Sequence, residues 1–126
     1  MKKIILDTNF LMIPLQFNID IFSEIDRVCV FKYQLLIIDK TIDELEKISG
    51  SAKRRYRLAA KIALQLIKKK KIKKIKTKDG KVDDLILEAL GKDDVLATQD
   101  ALLRKRAVEK GANVIFLRNK SHLVLA

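Results

Sequence analysis

Asp7, Glu44, Asp83 and Asp100 each fall where a hydrophobic run hands over to a helical pattern, or in the first turn of a helical pattern. Parallel α/β sheets bind ligands outside the carboxyl ends of their strands, so a chain built on that plan would gather these four side chains around one crevice. Carboxylates so gathered repel one another and raise each other's pKa unless a cation or a helix N-terminus compensates them. A divalent cation is the natural partner. Mg²⁺ and Mn²⁺ take oxygen ligands, keep several waters and bind a few carboxylates together with substrate phosphate. Such a centre activates water for attack on a phosphodiester and neutralises the departing oxygen. Histidine chemistry is not required, because the only histidine, His122, lies near the C-terminus and away from all four acids.

The elements that would position these acids alternate along the chain. Ile4 to Leu6 is short and continuously apolar, as a strand buried on both faces should be, and Asp7 follows directly. Phe10 to Phe17 reads as a short helix interrupted by Pro14, and Asp20 is placed to cap a helix carrying Ile21, Ile25 and Val28. Leu35 to Ile38 reads as the second strand. Thr41 to Ser49 is helical and stopped by Gly50. A longer helix from Lys53 to about Lys70 carries Leu58, Ile62, Leu66, Ala59 and Ala63 on one side and bases on the other. Ile72 to Lys76 alternates apolar residues with lysine, the pattern of a protected edge strand, and Asp79-Gly80 marks a turn. Helix Asp83 to Leu90, strand Val95 to Thr98, helix Ala101 to Lys110 and strand Val114 to Leu117 complete the series. This alternation predicts a three-layer α/β/α fold around a mainly parallel sheet with right-handed crossovers.

Helix capping offers a simpler explanation for the same acids. Asp7, Asp83 and Asp100 precede or open helices, where Asp commonly accepts free backbone N–H groups, and Thr41 with Glu44 has the spacing of a capping box. Ser, Thr or Asn would cap equally well, however, and three of the four strand-to-helix junctions offer a carboxylate. The two explanations are compatible. Among neighbours, Asp83 shares the helical stripe of Ile86 and Leu90 while Asp84 pairs at i+4 with Glu88 on a flank, which favours Asp83. Periodicity does not separate Glu44 from Glu46, although Glu44 is nearer the strand end.

With 126 residues and 48% hydrophobic content, the chain fits one domain with a sizeable core. Its charge of +11 is uneven: Lys53 to Lys81 holds fourteen Lys or Arg and one acid, leaving the remainder slightly acidic. A local polyanion-binding surface follows. Lys53, Arg54, Arg55, Arg57 and Lys61 begin the long helix and are the candidate contacts to nucleic-acid phosphates; the competing explanation is a solvated helix face. Tyr56 is the one aromatic within this stretch, so backbone and shape recognition are expected more than base stacking. Cys29 is alone, which excludes an intramolecular disulfide or a cysteine zinc cage and suits a reducing compartment. No stretch resembles a signal peptide or a membrane span, and the expected setting is cytoplasmic.

Taken together, these residues resemble the PIN-domain nucleases. Leu6-Asp7-Thr8-Asn9 is similar to the opening motif of that family, and Asp43-Glu44-Leu45 to the central segment with its Glu. Val82-Asp83-Asp84-Leu85-Ile86 is similar to the third motif and Leu96-Ala97-Thr98-Gln99-Asp100 to the fourth. The runs Leu6 to Leu11, Glu44 to Lys47 and Asp83-Asp84 look most like the branch related to ribosomal-RNA-processing endonucleases, and VapC-type toxins resemble the same family. The resemblance covers nearly the whole chain and implies a single PIN-like domain over residues 1–126. It also implies a Mg²⁺- or Mn²⁺-dependent endoribonuclease that cuts single strands and leaves 5′-phosphate and 3′-hydroxyl ends. Asp7 and Asp100 are then the leading direct metal ligands, with Glu44 and Asp83 holding a second ion or orienting water. Thr8, Asn9 and Thr98 order the carboxylates by hydrogen bonds. RNA is the implied partner, joined by an antitoxin protein if the chain is a toxin and by a second copy if it pairs as relatives often do.

Two other classes are weighed against this. A noncatalytic RNA-binding module of the same fold would not need all four acids. A phosphotransfer protein would need a different pattern: a haloacid-dehalogenase-like phosphatase wants Asp two residues after Asp7, where Asn9 stands, and a receiver-like module wants an acidic pair near the first strand.

Overall fold

A computed structural model describes all of residues 1–126. Six strands form one sheet in the order β3-β2-β1-β4-β5-β6. These are β1 (Lys2–Leu6), β2 (Tyr33–Ile38), β3 (Lys73–Ile75), β4 (Val95–Ala97), β5 (Asn113–Arg118) and β6 (His122–Leu125). The first five run parallel, and β6 returns antiparallel beside β5. Seven helices connect them: α1 (Thr8–Leu11), α2 (Ile13–Phe17), α3 (Ile21–Val28), α4 (Asp39–Ile48), α5 (Arg54–Lys69), α6 (Val82–Ala89) and α7 (Ala101–Glu109). The expected α/β/α architecture is what the chain adopts.

Strand alternation builds the two cores. Ile4 and Leu6 of β1 and Ile37 of β2 point into a larger cluster with Phe10, Ile25, Leu45, Ala60 and Ala63 from α1 to α5. Ile5, Leu36, Ile38 and Leu96 point the other way, against Leu85 and Ile86 of α6 and Leu103 of α7. Apolar area on both faces is thereby removed from water, at about 25 cal/mol per Å². Because β1 has β2 on one side and β4 on the other, the strand order reverses beside it. The carboxyl ends of β1 and β4 consequently flank the crevice that such a reversal leaves open.

Several boundaries depart from the sequence expectation for identifiable reasons. The helix after β1 starts at Thr8 and divides into α1 and α2, because Pro14 falls in the first turn of α2, where its missing N–H costs nothing. Helix α4 begins at Asp39 rather than Thr41, so Thr41 is internal and fully buried and forms no capping box with Glu44. Asp83 is no N-cap either; Lys81 occupies that position and Asp83 lies within the first turn. The strand β6 was not anticipated. Its hairpin turn uses Asn119 and Lys120, both at φ 54°, and a lysine there gives none of the glycine signal by which such turns are recognised. On α5, Ala59, Ala60, Ala63 and Ile67 form the buried line and Leu58, Ile62 and Leu66 flank it. No helix is long and apolar enough to cross a membrane.

The alanines let α5 lie close to its neighbours. Ala60, fully buried, has no room for a longer side chain, so Ala60→Leu should destabilise the protein by about 1–3 kcal/mol through overpacking. Urea unfolding would show a lowered midpoint with an unchanged slope; an unchanged midpoint would mean the interface is slack.

Candidate active site

The four acids arrive from four different elements and line one cleft of about 240 Å³. Asp7 leaves the end of β1, Glu44 projects from α4, Asp83 from the first turn of α6, and Asp100 from the start of α7. The two cores are both represented, since α4 packs on one face of the sheet and α6 on the other. Met12, Ile48 and Val82 supply the apolar part of the wall.

Asp7 is the deepest of the four, 5% exposed. Its Oδ1 accepts the Thr8 N–H at 2.8 Å and its Oδ2 accepts the Thr98 hydroxyl at 2.6 Å. Each carboxylate oxygen has two lone-pair directions, so one hydrogen bond apiece leaves further acceptor capacity. Thr8 is a bridge: its amide serves Asp7 while its hydroxyl donates to Glu44 Oε1 at 2.5 Å. Thr98 is a second bridge, accepting the Asp100 N–H at 3.1 Å while donating to Asp7. Asn9 Oδ1 accepts the Gln99 N–H at 3.0 Å, tying the loop after β1 to the loop after β4. Thr8 and Thr98 each bond a carboxylate of the cleft directly, whereas Asn9 bonds Gln99 and Thr98 and no carboxylate.

Burial pushes the Asp7 carboxyl up to about 6; the hydrogen bonds from Thr98 and Thr8 oppose this, and the nearby Asp83 and Glu44 charges add to it. Asp83 is also raised, by burial first and then by Asp100 and Asp84, with Arg106 acting against them. Asp100 does cap α7, its Oδ1 accepting the Leu102 and Leu103 N–H groups at 2.9 and 3.1 Å. Capping and cleft-lining coexist in this residue.

Neighbouring acids separate cleanly. Asp84 is exposed and pairs with Arg106 at 2.8 Å, outside the cleft. Glu46 turns to a different hollow with Lys68 and Lys71. None of the four cleft acids is in an ion pair. Their donor set is wholly oxygen, from carboxylates, two hydroxyls and an amide, and it suits a hard divalent cation. No three acids stand at the spacing of a metal cage, so these side chains alone do not form a complete site, and a cation here would need further oxygen ligands such as water or substrate phosphate.

Two contributors escaped the sequence reading. Gln99 Oε1 accepts the Leu117 N–H at 3.3 Å and so anchors the β4 loop to β5. Asp39 accepts the Thr77 hydroxyl at 2.5 Å and the Thr77 N–H at 3.2 Å, and Lys40 reaches Thr77 Oγ1 at 3.2 Å. This latch fixes the segment leading into α6 and holds the Asp39 carboxyl down to about 2, chiefly through the Thr77 hydroxyl. Neither has a local sequence signal, because both partners are distant in the chain.

The basic stretch divides in space. Lys53 and Arg54 to Arg57 stand at the start of α5, close to the cleft, since Ser51 and Tyr56 line a hollow with Asn9, Met12 and Ile48. Arg57 donates to the Ser51 carbonyl at 3.1 Å, so it braces the turn between α4 and α5. Lys61 is exposed farther along. Lys68 to Lys71 lie about 20 Å down the helix from Tyr56 at 1.5 Å per residue and do not line the acidic cleft.

A family model described as PIN like domain matches residues 4–120. Among curated proteins, the chain is similar to Ribonuclease VapC4 of Methanocaldococcus jannaschii, with 29% identity over 126 residues, 97% of this chain and 95% of that one. Among solved structures it is similar to the PIN domain endonuclease Utp24, with a TM-score of 0.77 and 28% identity over 98% of this chain and 90% of the other.

The raised Asp7 carboxyl has a consequence for stability. An acid whose folded pKa exceeds its unfolded value binds its proton more tightly when folded, so its contribution falls as pH climbs from 3.8 to about 6. Asp7→Asn removes that charge, and its amide nitrogen is placed to donate to Thr98 Oγ1. Without divalent cations the variant should be more stable than the parent above pH 6, by on the order of 2–3 kcal/mol, and the advantage should shrink toward pH 4. Thermal unfolding across that range checks this; equal stability at every pH would mean Asp7 carries no buried charge.

Proposed function

The chain belongs to the PIN-like domain family, and from that premise we propose that residues 1–126 act as one endoribonuclease domain dependent on Mg²⁺ or Mn²⁺. The observation that carries this is the convergence of Asp7, Glu44, Asp83 and Asp100, from four elements, on one cleft without any basic partner. Asp7 and Asp100 hold the cation directly, and Glu44 and Asp83 hold a second ion or orient the attacking water. When bound, the cation neutralises phosphate charge and lowers the pKa of water. The protein's own residues do the rest. Thr98 and Thr8 fix Asp7 in the cleft, and Thr8 sets the distance between Asp7 and Glu44. Asp83, whose proton affinity is raised, is suited to take the proton released by the attacking water. Water oxygen bonds to phosphorus, the bond to the 3′ oxygen breaks, and that oxygen takes a proton, leaving 5′-phosphate and 3′-hydroxyl ends.

Single-stranded RNA is the proposed substrate, its phosphates met by Lys53, Arg54, Arg55, Arg57 and Lys61. RNA processing and the action of a VapC-type toxin with an antitoxin partner both fit this chemistry, and the similar proteins named Ribonuclease VapC4 and PIN domain endonuclease Utp24 stand at nearly the same identity to this chain.

Purified protein should cut a labelled single-stranded RNA with Mg²⁺ or Mn²⁺ and not with EDTA, and the fragments should accept ligation through a 5′-phosphate. Asp7→Asn should lower the rate by two orders of magnitude or more while keeping the fold; parental cutting by that variant would remove Asp7 from the centre. Binding without turnover under every metal condition would instead favour a noncatalytic RNA-binding module. Exchanging Arg54 and Arg55 for Glu should weaken RNA binding and flatten its salt dependence, by about 0.7 in log–log slope per lost phosphate contact. An unchanged slope in filter binding would assign the start of α5 another purpose.

A further inference from the structure

Beside the acidic cleft lies a second hollow of about 370 Å³, lined by Asn9, Met12, Gln16, Ile48, Ser51 and Tyr56. Asn9, Met12 and Ile48 line both spaces, so the two adjoin. A strand with one phosphate among the carboxylates reaches this hollow with its next nucleotide.

The composition of the hollow is specific. Met12 and Ile48 give an apolar floor, Tyr56 adds an aromatic face that is 42% exposed, and Asn9, Gln16 and Ser51 add amide and hydroxyl groups at the margin. Asn9 accepts the Gln99 N–H through Oδ1 at 3.0 Å, and its amide nitrogen remains available as a donor. Tyr56 is held on a fixed backbone, because Ser51 Oγ accepts the Lys53 N–H at 3.2 Å and the Ser51 carbonyl accepts from Arg57. Lys53 Nζ lies over one face of the Tyr56 ring, 5.7 Å from its centre, so a stacking base takes the opposite face or displaces this flexible side chain. A phosphate makes no use of an apolar floor with an aromatic wall, and a sugar offers a smaller, non-planar face to the ring. An unpaired base uses both, with its face on the ring and its edge on amides.

We infer that this hollow is a nucleobase subsite, in which a base next to the scissile phosphodiester of single-stranded RNA packs on Tyr56 and is read at its edge by Gln16 and Asn9. The inference rests on reading the cleft as a phosphodiester site, and it adds one base contact to a surface expected to recognise backbone and shape more than bases. Tyr56 is then a specificity residue, remote from the bond that breaks.

The test compares affinities for a short single-stranded RNA and for the same strand with one abasic position, scanned along its length, by fluorescence anisotropy in Ca²⁺. One abasic position should weaken binding to the parent protein. Tyr56→Ala should bring the intact-to-abasic affinity ratio at that position down toward one, a loss of roughly 5- to 100-fold, and Tyr56→Phe should preserve it because the ring is retained. Gln16→Ala should alter which base is preferred there. The idea is overturned if the parent does not discriminate at any position or binds neither strand, if Tyr56→Ala leaves the ratio unchanged, or if it weakens both strands alike. Affinity is read without cleavage, so failure of this subsite and failure of the nuclease reading, seen as absent cutting in Mg²⁺ and Mn²⁺, are separate results.

Discussion

Like charge brought together in a half-dry cleft is the constraint on which the rest of this structure depends. A carboxylate as enclosed as Asp7 resists ionisation, and Glu44 and Asp83 nearby increase that resistance. What holds it in place is a small set of donors, the Thr98 hydroxyl and the Thr8 amide. The Thr98 donor is present only because β1 and β4 are neighbours in one register, with Leu6 beside Ala97, so that Asp7 and Thr98 leave their strands side by side; the Thr8 amide is local. A slip of one residue would send Asp7 to the opposite face of the sheet.

The two hydrophobic cores set the width of the cleft. Leu45 seats α4 on one face and Leu85 and Ile86 seat α6 on the other, and each helix carries its acid one or two residues away. Packing that serves stability therefore also fixes the distance between Glu44 and Asp83. Burial and mutual repulsion of the acids at the cleft work against stability by comparison, and the hydrogen bonds from Thr98 and Thr8 offset them only in part. A site that costs folding free energy until a ligand arrives is the usual arrangement where function is concentrated.

Electrostatics separates attraction from chemistry in this molecule. The net positive charge draws polyanions, while the cleft is acidic and accepts a phosphate only with a cation between. The start of α5 brings both tendencies together, since Tyr56, which follows Lys53, Arg54 and Arg55 in the chain, lines a hollow that adjoins the acidic cleft. Lysines farther down the helix contribute to the overall field and do not border the site.

The amino-acid sequence by itself determined the alternation of elements and their type, because apolar runs of strand length and amphipathic helix patterns are local signals. It also marked the four acids, since each stands beside a recognisable strand or helix start. Tertiary structure alone decided which acids share a cleft and with which partners. Glu44 prevails over Glu46 because α4 begins at Asp39 and presents Glu44 to Thr8. Asp84 is diverted by Arg106, twenty-two residues away. The Asp39–Thr77 latch, the Gln99–Leu117 bond and the hollow around Tyr56 likewise join segments far apart in the chain. The hairpin strand β6 escaped notice because its turn places Asn119 and Lys120 in left-handed backbone without a glycine. Patterns within a few residues record what a segment prefers; convergence across the sheet depends on strand order and register, which no short stretch of sequence contains.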